Sequence, residues 1–316
     1  MKKISILTGC FNEEMNVAEL CRQVKAVFAE LGQYDYEHVF IDNHSQDRTV
    51  SILREIARQD PHVKVIVNAR NFGQVRSVFY GLLQTKGDAT ILMVADLQDP
   101  PAMIKEFLKK WEEGYKLVAG VKKGSHDSPL MFVVRKLFYY VMGHLSEVEQ
   151  IKNFTGFGLY DKKVVDLLRT MDDAYPYLRG MICEIGYDIA RVEYVQPVRK
   201  RGKTSHTFYS LYDMAMLGIT NHSKVPLRLA TMLGFLISLL SILTAFGYLI
   251  AKLIFWDNFT VGIAPLVISL FFFSSVQLFF IGILGEYIGS IHTQVLKRPL
   301  VIEAERINFD DKGIFD

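Results

Sequence analysis

Val94-Ala95-Asp96-Leu97-Gln98-Asp99-Pro100-Pro101 follows directly on the apolar run Thr90-Ile91-Leu92-Met93. A short apolar run closed by turn residues reads as a buried strand. The two prolines end it, because neither can donate to a sheet ladder and both fix the backbone of the turn. Asp96, Gln98 and Asp99 are thereby delivered to the rim of a sheet. Hard oxygen donors of this kind suit Mg2+ or Mn2+, which take one or two protein groups and complete their shell with substrate phosphates. Alone, the stretch is more simply an acidic turn with solvated carboxylates. The rest of the chain reverses that reading.

Upstream, strand and helix signals alternate. Ile4 to Leu7 is an apolar run, followed by a helical pattern through Val17, Leu20, Val24 and Phe28. Val39 to Ile41 is a second strand ending at Asp42. Thr49 to Arg58 is helical, Val63 to Val67 a third strand, and Gln74 to Thr85 a helix closed by Gly87. Thr90 to Ala95 is the fourth strand. This order predicts an α/β fold with a mostly parallel sheet and right-handed crossovers. In such sheets ligands bind beyond the carboxyl ends of the strands. Phe11-Asn12-Glu13, Asp42-Asn43-His44-Ser45, Arg70-Asn71-Phe72-Gly73-Gln74 and the Asp96 turn all fall there, as one composite site. No GxGxxG follows the first strand and no GxxxxGK[ST] occurs, so neither a dinucleotide fold nor a P-loop is supported.

The 316 residues carry 36 Lys and Arg against 34 Asp and Glu, which argues against a nucleic-acid partner held by bulk charge. Cys10, Cys21 and Cys183 lack CxxC spacing, against a disulfide framework or zinc site. The apolar part of the N-terminus is too short for a signal peptide, which keeps the first two-thirds on the cytoplasmic side. Mean hydropathy is +0.17, and the excess is concentrated late in the chain. Leu229 to Ala251 and Val261 to Leu284 contain no charged residue. Each exceeds the roughly 20 residues that span a bilayer. Lys224 and Arg228 precede the pair and Lys297 and Arg298 follow it, so both flanks face the cytoplasm and the short link faces outward. His206 to Ser223 mixes aromatic and polar positions and reads as a helix on the membrane surface, or as a packed helix of the preceding domain. The expected organisation is a catalytic domain over 1–205, a juxtamembrane amphipathic region over 206–228, a two-helix transmembrane hairpin over 229–284 and a cytoplasmic tail over 285–316. Gly234, Ser238, Ser241 and Gly247 would let spans pack closely, as in a homo-oligomer.

These motifs, in this order, resemble the polyisoprenyl-phosphate glycosyltransferases of glycosyltransferase family two, from Ser5 to about Pro299. Phe11-Asn12-Glu13-Glu14 is similar to that family's first nucleotide-contacting turn. Asp42-Asn43-His44-Ser45-Gln46-Asp47 is similar to its Asp-Asp-Gly-Ser segment, and the Arg70 and Asp96 segments match with little change. The apolar pair and Gly285-Glu286-Tyr287-Ile288-Gly289 resemble the bacterial membrane-anchored branch. The resemblance implies a GT-A (Rossmann-like) fold, an inverting transfer of one sugar from a UDP- or GDP-sugar, and a polyprenyl phosphate acceptor, as in undecaprenyl phosphate. The setting it implies is the cytoplasmic face of a lipid bilayer, and the product a lipid-linked sugar for cell-surface glycan or lipid modification. It places nucleotide contacts at Thr8, Phe11, Asn12, Glu13, Asp42, Asn71, Gly73 and Asp96, and the Mg2+ or Mn2+ cofactor on Asp96 and Gln98. Asp96, Asp99 and Arg199 fall at the reaction centre. Arg199 with Gly202 matches an Arg-x-x-Gly segment whose Arg contacts phosphate, and Arg201 and Lys203 extend that basic run.

Four departures stand out. Val94 occupies the first position of an Asp-x-Asp pattern, Asn43 replaces the second Asp of Asp-Asp-Gly-Ser, Gly156 stands where relatives carry an Asp proposed as base with Gly158 in place of an Arg, and Ser205 replaces a Lys. A base is dispensable, because a phosphate monoester with a second pKa of about 6 is already largely dianionic at neutral pH. A processive polysaccharide synthase is disfavoured by having only two spans and no QxxRW. The remaining rival is a nucleotide-binding membrane scaffold that lost activity with Val94 and Gly156.

Overall fold

The computed structural model describes residues 1–123, 151–197, 216, 220, 223–255 and 262–309. Strands β1 (Lys2–Cys10), β2 (Tyr34–Asp42), β3 (Val63–Asn68) and β4 (Ala89–Val94) alternate with helices α1 (Val17–Glu30), α2 (Thr49–Gln59) and α3 (Gln74–Gln84). Helix α4 (Met103–Glu112) leads to β5 (Leu117–Lys122), and β6 (Phe154–Asp161) is followed by α5 (Lys162–Thr170), α6 (Leu178–Glu184) and β7 (Ile189–Tyr194). Two long helices, α7 (Val225–Ile254) and α8 (Ile263–Leu296), precede a last strand, β8 (Glu303–Ile307). Among the described residues the strands form one sheet in the order β7-β5-β6-β4-β1-β2-β3-β8. Strands β4, β1, β2 and β3 run parallel, as expected, whereas β6 and β8 pair antiparallel.

Strand alternation divides the core. Ile4, Ile6 and Phe40 face α1, α2 and α4 through Leu20, Val24, Leu53 and Phe107. Leu7, Val39, Ile41 and Ile66 face the other way, against Phe79 and Leu82 of α3 and Val164 and Leu168 of α5. A sheet buried on both faces leaves only its edges and strand ends for chemistry.

At the end away from those turns, Glu37 is 2% exposed. It accepts from the Ser5 hydroxyl at 2.7 Å and from Lys64 Nζ at 2.9 Å, with Lys3 Nζ at 3.2 Å. Burial alone would raise its pKa, but the Ser5 and Lys64 hydrogen bonds and the two ammonium charges prevail and hold it at about 2, below the ordinary 4.5. The lowered value means a stabilisation complete above pH 4.5 and lost as pH falls through about 2. Glu37→Gln is expected to flatten acid unfolding in that window and to cost roughly 3 kcal/mol at neutral pH, read by denaturant titration at several pH values.

The apolar C-terminal pair is present as α7 and α8, and their segments Val225–Thr244 and Ile268–Leu296 have mean hydropathies of 1.9 and 2.0. Their large side chains face outward; Phe235 is 72% and Phe271 68% exposed. Helix α8 continues past Leu284, where a polar tail was expected, and ends at Lys297 in a left-handed conformation (φ 46°). The tail is also not separate. Ala69 N donates to Ile302 O at 2.8 Å, Val301 is buried, and β8 adds to the edge of β3. Tyr80 donates to Glu303 at 2.7 Å and Arg54 pairs with Glu305 at 2.6 Å, so the tail completes the sheet domain. Residues 206–215 of the expected juxtamembrane helix lie outside the described residues.

Candidate active site

Because β4, β1, β2 and β3 are neighbours in register, Gly9 lies opposite Val94, Cys10 opposite Asp42 and Asp42 opposite Val67. Their carboxyl-end turns therefore form one continuous rim. Three of these turns hold a non-glycine residue at positive φ: Asn12 (56°), His44 (67°) and Leu97 (61°). Such strain persists only where surrounding contacts impose it, and it concentrates at ligand sites.

The β1 and β2 turns are stitched together. Asn12 N donates to Ser45 Oγ and Gln46 N to Asn12 Oδ1, both at 2.8 Å. Glu13 N donates to Thr49 Oγ1 at 2.8 Å. Asp42 is fully buried beneath them and accepts from Ser45 N at 2.8 Å and from the Ser45 hydroxyl. Burial pushes the Asp42 carboxyl above its usual range, against the pull of the Ser45 hydrogen bonds. Its nearest thiol, Cys10, is pushed up by burial and by the Asp42 charge. In this arrangement Asp42 shapes the turn and presents Asn12, Phe11 and Glu13 at the rim. Thr8 is a clearer correction: its side chain has no exposure and bonds His38 Nε2 at 3.0 Å. Alternation puts it on the same face as Ile6 and Cys10, inside the core, where a nucleotide does not reach.

Asn43 ties β2 to the β3 turn. Its Nδ2 donates to Asn71 Oδ1 at 2.8 Å, and its Oδ1 accepts from Phe72 N at 2.9 Å and Asn68 Nδ2 at 3.2 Å. Asn71 Oδ1 also accepts from Gly73 N at 2.8 Å. Gly73 caps α3 at φ 85°, ψ 155°, a region essentially confined to glycine. The Asp-to-Asn departure at 43 thus supplies a donor that a carboxylate lacks. Asn43→Asp is expected to set a carboxylate against Asn71 Oδ1. The predicted cost is about 1–3 kcal/mol with weakened nucleotide binding, measured by thermal unfolding and a nucleotide titration.

At the β4 end, Gln98 N donates to Asp96 Oδ1 at 3.1 Å, and Asp96, Leu97 and Gln98 are all partly exposed. Gln98 Nε2 lies 3.5 Å from Pro197 O. Asp99, expected at the reaction centre, is instead 2% exposed. It accepts from Val94 N at 3.1 Å and from the Tyr194 hydroxyl at 3.0 Å. Burial raises its pKa to about 6. Both oxygens face inward, an arrangement that ties down the turn carrying Asp96. The tie to Tyr194, on a strand 95 residues away, left no signal in the sequence.

Gly156 has φ 102°, and its carbonyl accepts from Tyr160 at 2.7 Å. An aspartate there would be strained in this backbone, so the departure is built into β6. Arg199, Arg201 and Lys203 lie outside the described residues. Among the described residues no three His, Cys, Asp or Glu side chains cluster as a metal cage. The Asp96 carboxylate and Gln98 amide still fit Mg2+ or Mn2+, ions commonly held by one or two protein groups when substrate phosphates fill the remaining positions.

Residues 5–167 match the Glycosyl transferase family 2 domain. The chain is 33% identical over 312 residues to the uncharacterized glycosyltransferase YkcC of Bacillus subtilis (strain 168), covering 98% of this chain and 96% of that protein. It is 34% identical over 301 residues to the SfII prophage-derived bactoprenol glucosyl transferase of Shigella flexneri, covering 95% and 97%. The prophage bactoprenol glucosyl transferase homolog of Escherichia coli (strain K12) is 33% identical over 302 residues, covering 95% and 98%. A more distant likeness is to the solved glucosyl-3-phosphoglycerate synthase of Mycobacterium tuberculosis with UDP. It has 20% identity and a TM-score of 0.44 over 69% of this chain and 78% of that one, too remote to bear on the site.

Proposed function

The chain belongs to glycosyl transferase family 2, and on that premise we propose that it moves one sugar from a nucleotide-activated donor to a polyprenyl phosphate at a membrane surface. The observation that carries the acceptor is the similarity to bactoprenol glucosyl transferases over nearly the full length of both chains, the two apolar helices included. Undecaprenyl phosphate is the acceptor this favours, and a hexose the transferred group.

In the proposed reaction an oxygen of the lipid phosphate attacks C1 of the donor sugar. The C1–O bond to the nucleoside diphosphate breaks with inversion, and its electron pair leaves with the diphosphate. The transition state carries oxocarbenium character at the sugar. Asn12, Glu13, Phe11, Asn71 and Gly73 line the rim that would hold the nucleotide. Asp96 and Gln98 would hold the divalent ion, which when bound neutralises charge on the departing diphosphate. No residue needs to accept a proton, since the acceptor arrives ionised. Arg199, Arg201 and Lys203 would compensate phosphate charge at the reaction centre.

Helices α7 and α8 would anchor the domain, with Lys224, Arg228, Lys297 and Arg298 placing it on the cytoplasmic side. The outward faces at Gly234 and Gly247, where an added Cβ meets nothing within 4 Å, leave room for a second copy of α7. Release of nucleoside diphosphate from UDP- and GDP-sugars, with and without undecaprenyl phosphate, tests the reading. Release from one donor, raised only by the phosphorylated lipid, is the expected result. Nucleotide binding with no acceptor-dependent release would instead support the scaffold.

A further inference from the structure

Among the described residues many surface cations have a carboxylate within reach: Lys2 meets Glu112, Arg54 meets Glu305, Lys105 meets Glu30 and Lys297 meets Asp172. Three arginines at the foot of α8 have none among the described residues. Arg76 Nη2 donates to Pro299 O at 2.8 Å, while its Nε is buried without a partner. The Arg70 guanidinium carbon sits 4.0 Å from the Phe72 ring centroid, and Arg70 donates to Asn71 O. Arg298 is exposed. The bond to Pro299 O sets Arg76 beside Arg298, and burial, then the charges of Arg70 and Arg298 against an opposing pull from Tyr175, lowers the Arg76 pKa. Cations with no carboxylate partner among the described residues attract an anion.

A second feature leads to the same place. The Tyr287 hydroxyl donates to Ser223 O at 2.7 Å, so that turn of α8 is level with the start of α7. Beyond it α8 continues to Leu296, carrying Ile288, Ile291 and Val295 at 64%, 60% and 73% exposure. Spacings of three and four put them on one face, in line with Ile281 and Leu284 below. An apolar stripe thus runs along the last turns of α8 and stops three residues short of Arg298.

An apolar track ending in unpaired guanidinium groups is complementary to an amphiphile with a long hydrocarbon chain and one anionic head. We propose that this face binds the phosphorylated isoprenoid acceptor, with Arg298 and Arg76, beside Arg70, on the phosphate and Ile288, Ile291 and Val295 under the first isoprene units. This site rests on the acceptor class proposed above and gives it residues. It also stands next to Asn71 and Gly73, so a phosphate held there would adjoin the nucleotide rim.

Binding to the full chain in phosphatidylcholine nanodiscs, without donor, tests it by calorimetry. Farnesyl phosphate is the probe, compared with farnesol, inorganic phosphate and added phosphatidylglycerol. Arg298→Gln, at an exposed position that spares folding, should weaken farnesyl phosphate at least about ten-fold, as loss of a charge-assisted hydrogen bond does. Arg76→Gln and Ile291→Ser should act in the same direction, with UDP affinity unchanged. Farnesol and inorganic phosphate should each bind more weakly than farnesyl phosphate. Unchanged farnesyl phosphate affinity in all three variants overturns the site. Parallel loss of UDP affinity assigns the arginines to the donor diphosphate instead, and equal competition by phosphatidylglycerol makes the face a general headgroup surface; either result refutes the proposal. The readout is binding, so a failure of sugar transfer with every donor would refute the proposed reaction without deciding this one.

Discussion

Asp96→Ala is expected to lower the transfer rate by about 1000-fold while leaving the fold and melting temperature nearly unchanged. Asp96 sits on a partly exposed turn beyond β4, and its contact with Gln98 N is local to that turn. Removing it therefore disturbs no packed core. The loss falls on the reaction because Asp96 would be the carboxylate holding the ion beside the leaving diphosphate, and Val94 offers no second acid two residues before it. Losing one preorganised charge-stabilising group of this kind typically costs about 100- to 1000-fold, and losing the metal with it pushes toward the upper end. Rates at several Mg2+ and Mn2+ concentrations, beside a thermal melt, check the prediction. A loss below ten-fold would move the metal-binding role elsewhere.

Asp99 separates differently, and a pair of substitutions shows how. Asp99→Ala should cost about 2–4 kcal/mol and most of the activity, because it strands Val94 N–H and the buried Tyr194 hydroxyl. Asp99→Asn should keep both. Its carbonyl oxygen can accept from Val94 N, its amide can donate to the Tyr194 oxygen, and it spares the burial of a charge that raises the Asp99 pKa to about 6. A catalytic carboxylate would give the opposite result, a stable but inactive Asn variant. Denaturant unfolding and transfer rates on the two variants decide between a positioning and a chemical role.

Much of this was legible in the chain. The four β–α alternations, the strand ends and the Asp96 turn are local signals, because apolar runs closed by Asn, Asp, Gly or Pro mark parallel strands and their rims. Thr8 was misplaced because a motif gives sequence neighbours, while alternation decides which of them faces inward. The same holds for Asp99, whose Tyr194 partner is brought close only by the β7-β5-β6-β4 order. Strand β8 escaped notice since Glu303-Ala304-Glu305-Arg306-Ile307 is an edge strand of five mostly polar residues, with no alternation to announce it. Asn43 looked like a lost acid; its value as a donor to Asn71 appears only when the β2 and β3 turns are seen side by side.

Transfer of radiolabelled sugar from a panel of UDP- and GDP-sugars into the organic phase, with purified full-length protein, undecaprenyl phosphate and Mg2+ or Mn2+, tests the central claim most directly. The expected result is one donor giving a lipid-linked product that requires the metal and the lipid phosphate and disappears in Asp96→Ala. Label that stays in the aqueous phase for every donor, from protein that still binds nucleotide, would contradict it and leave a membrane-anchored nucleotide-binding scaffold.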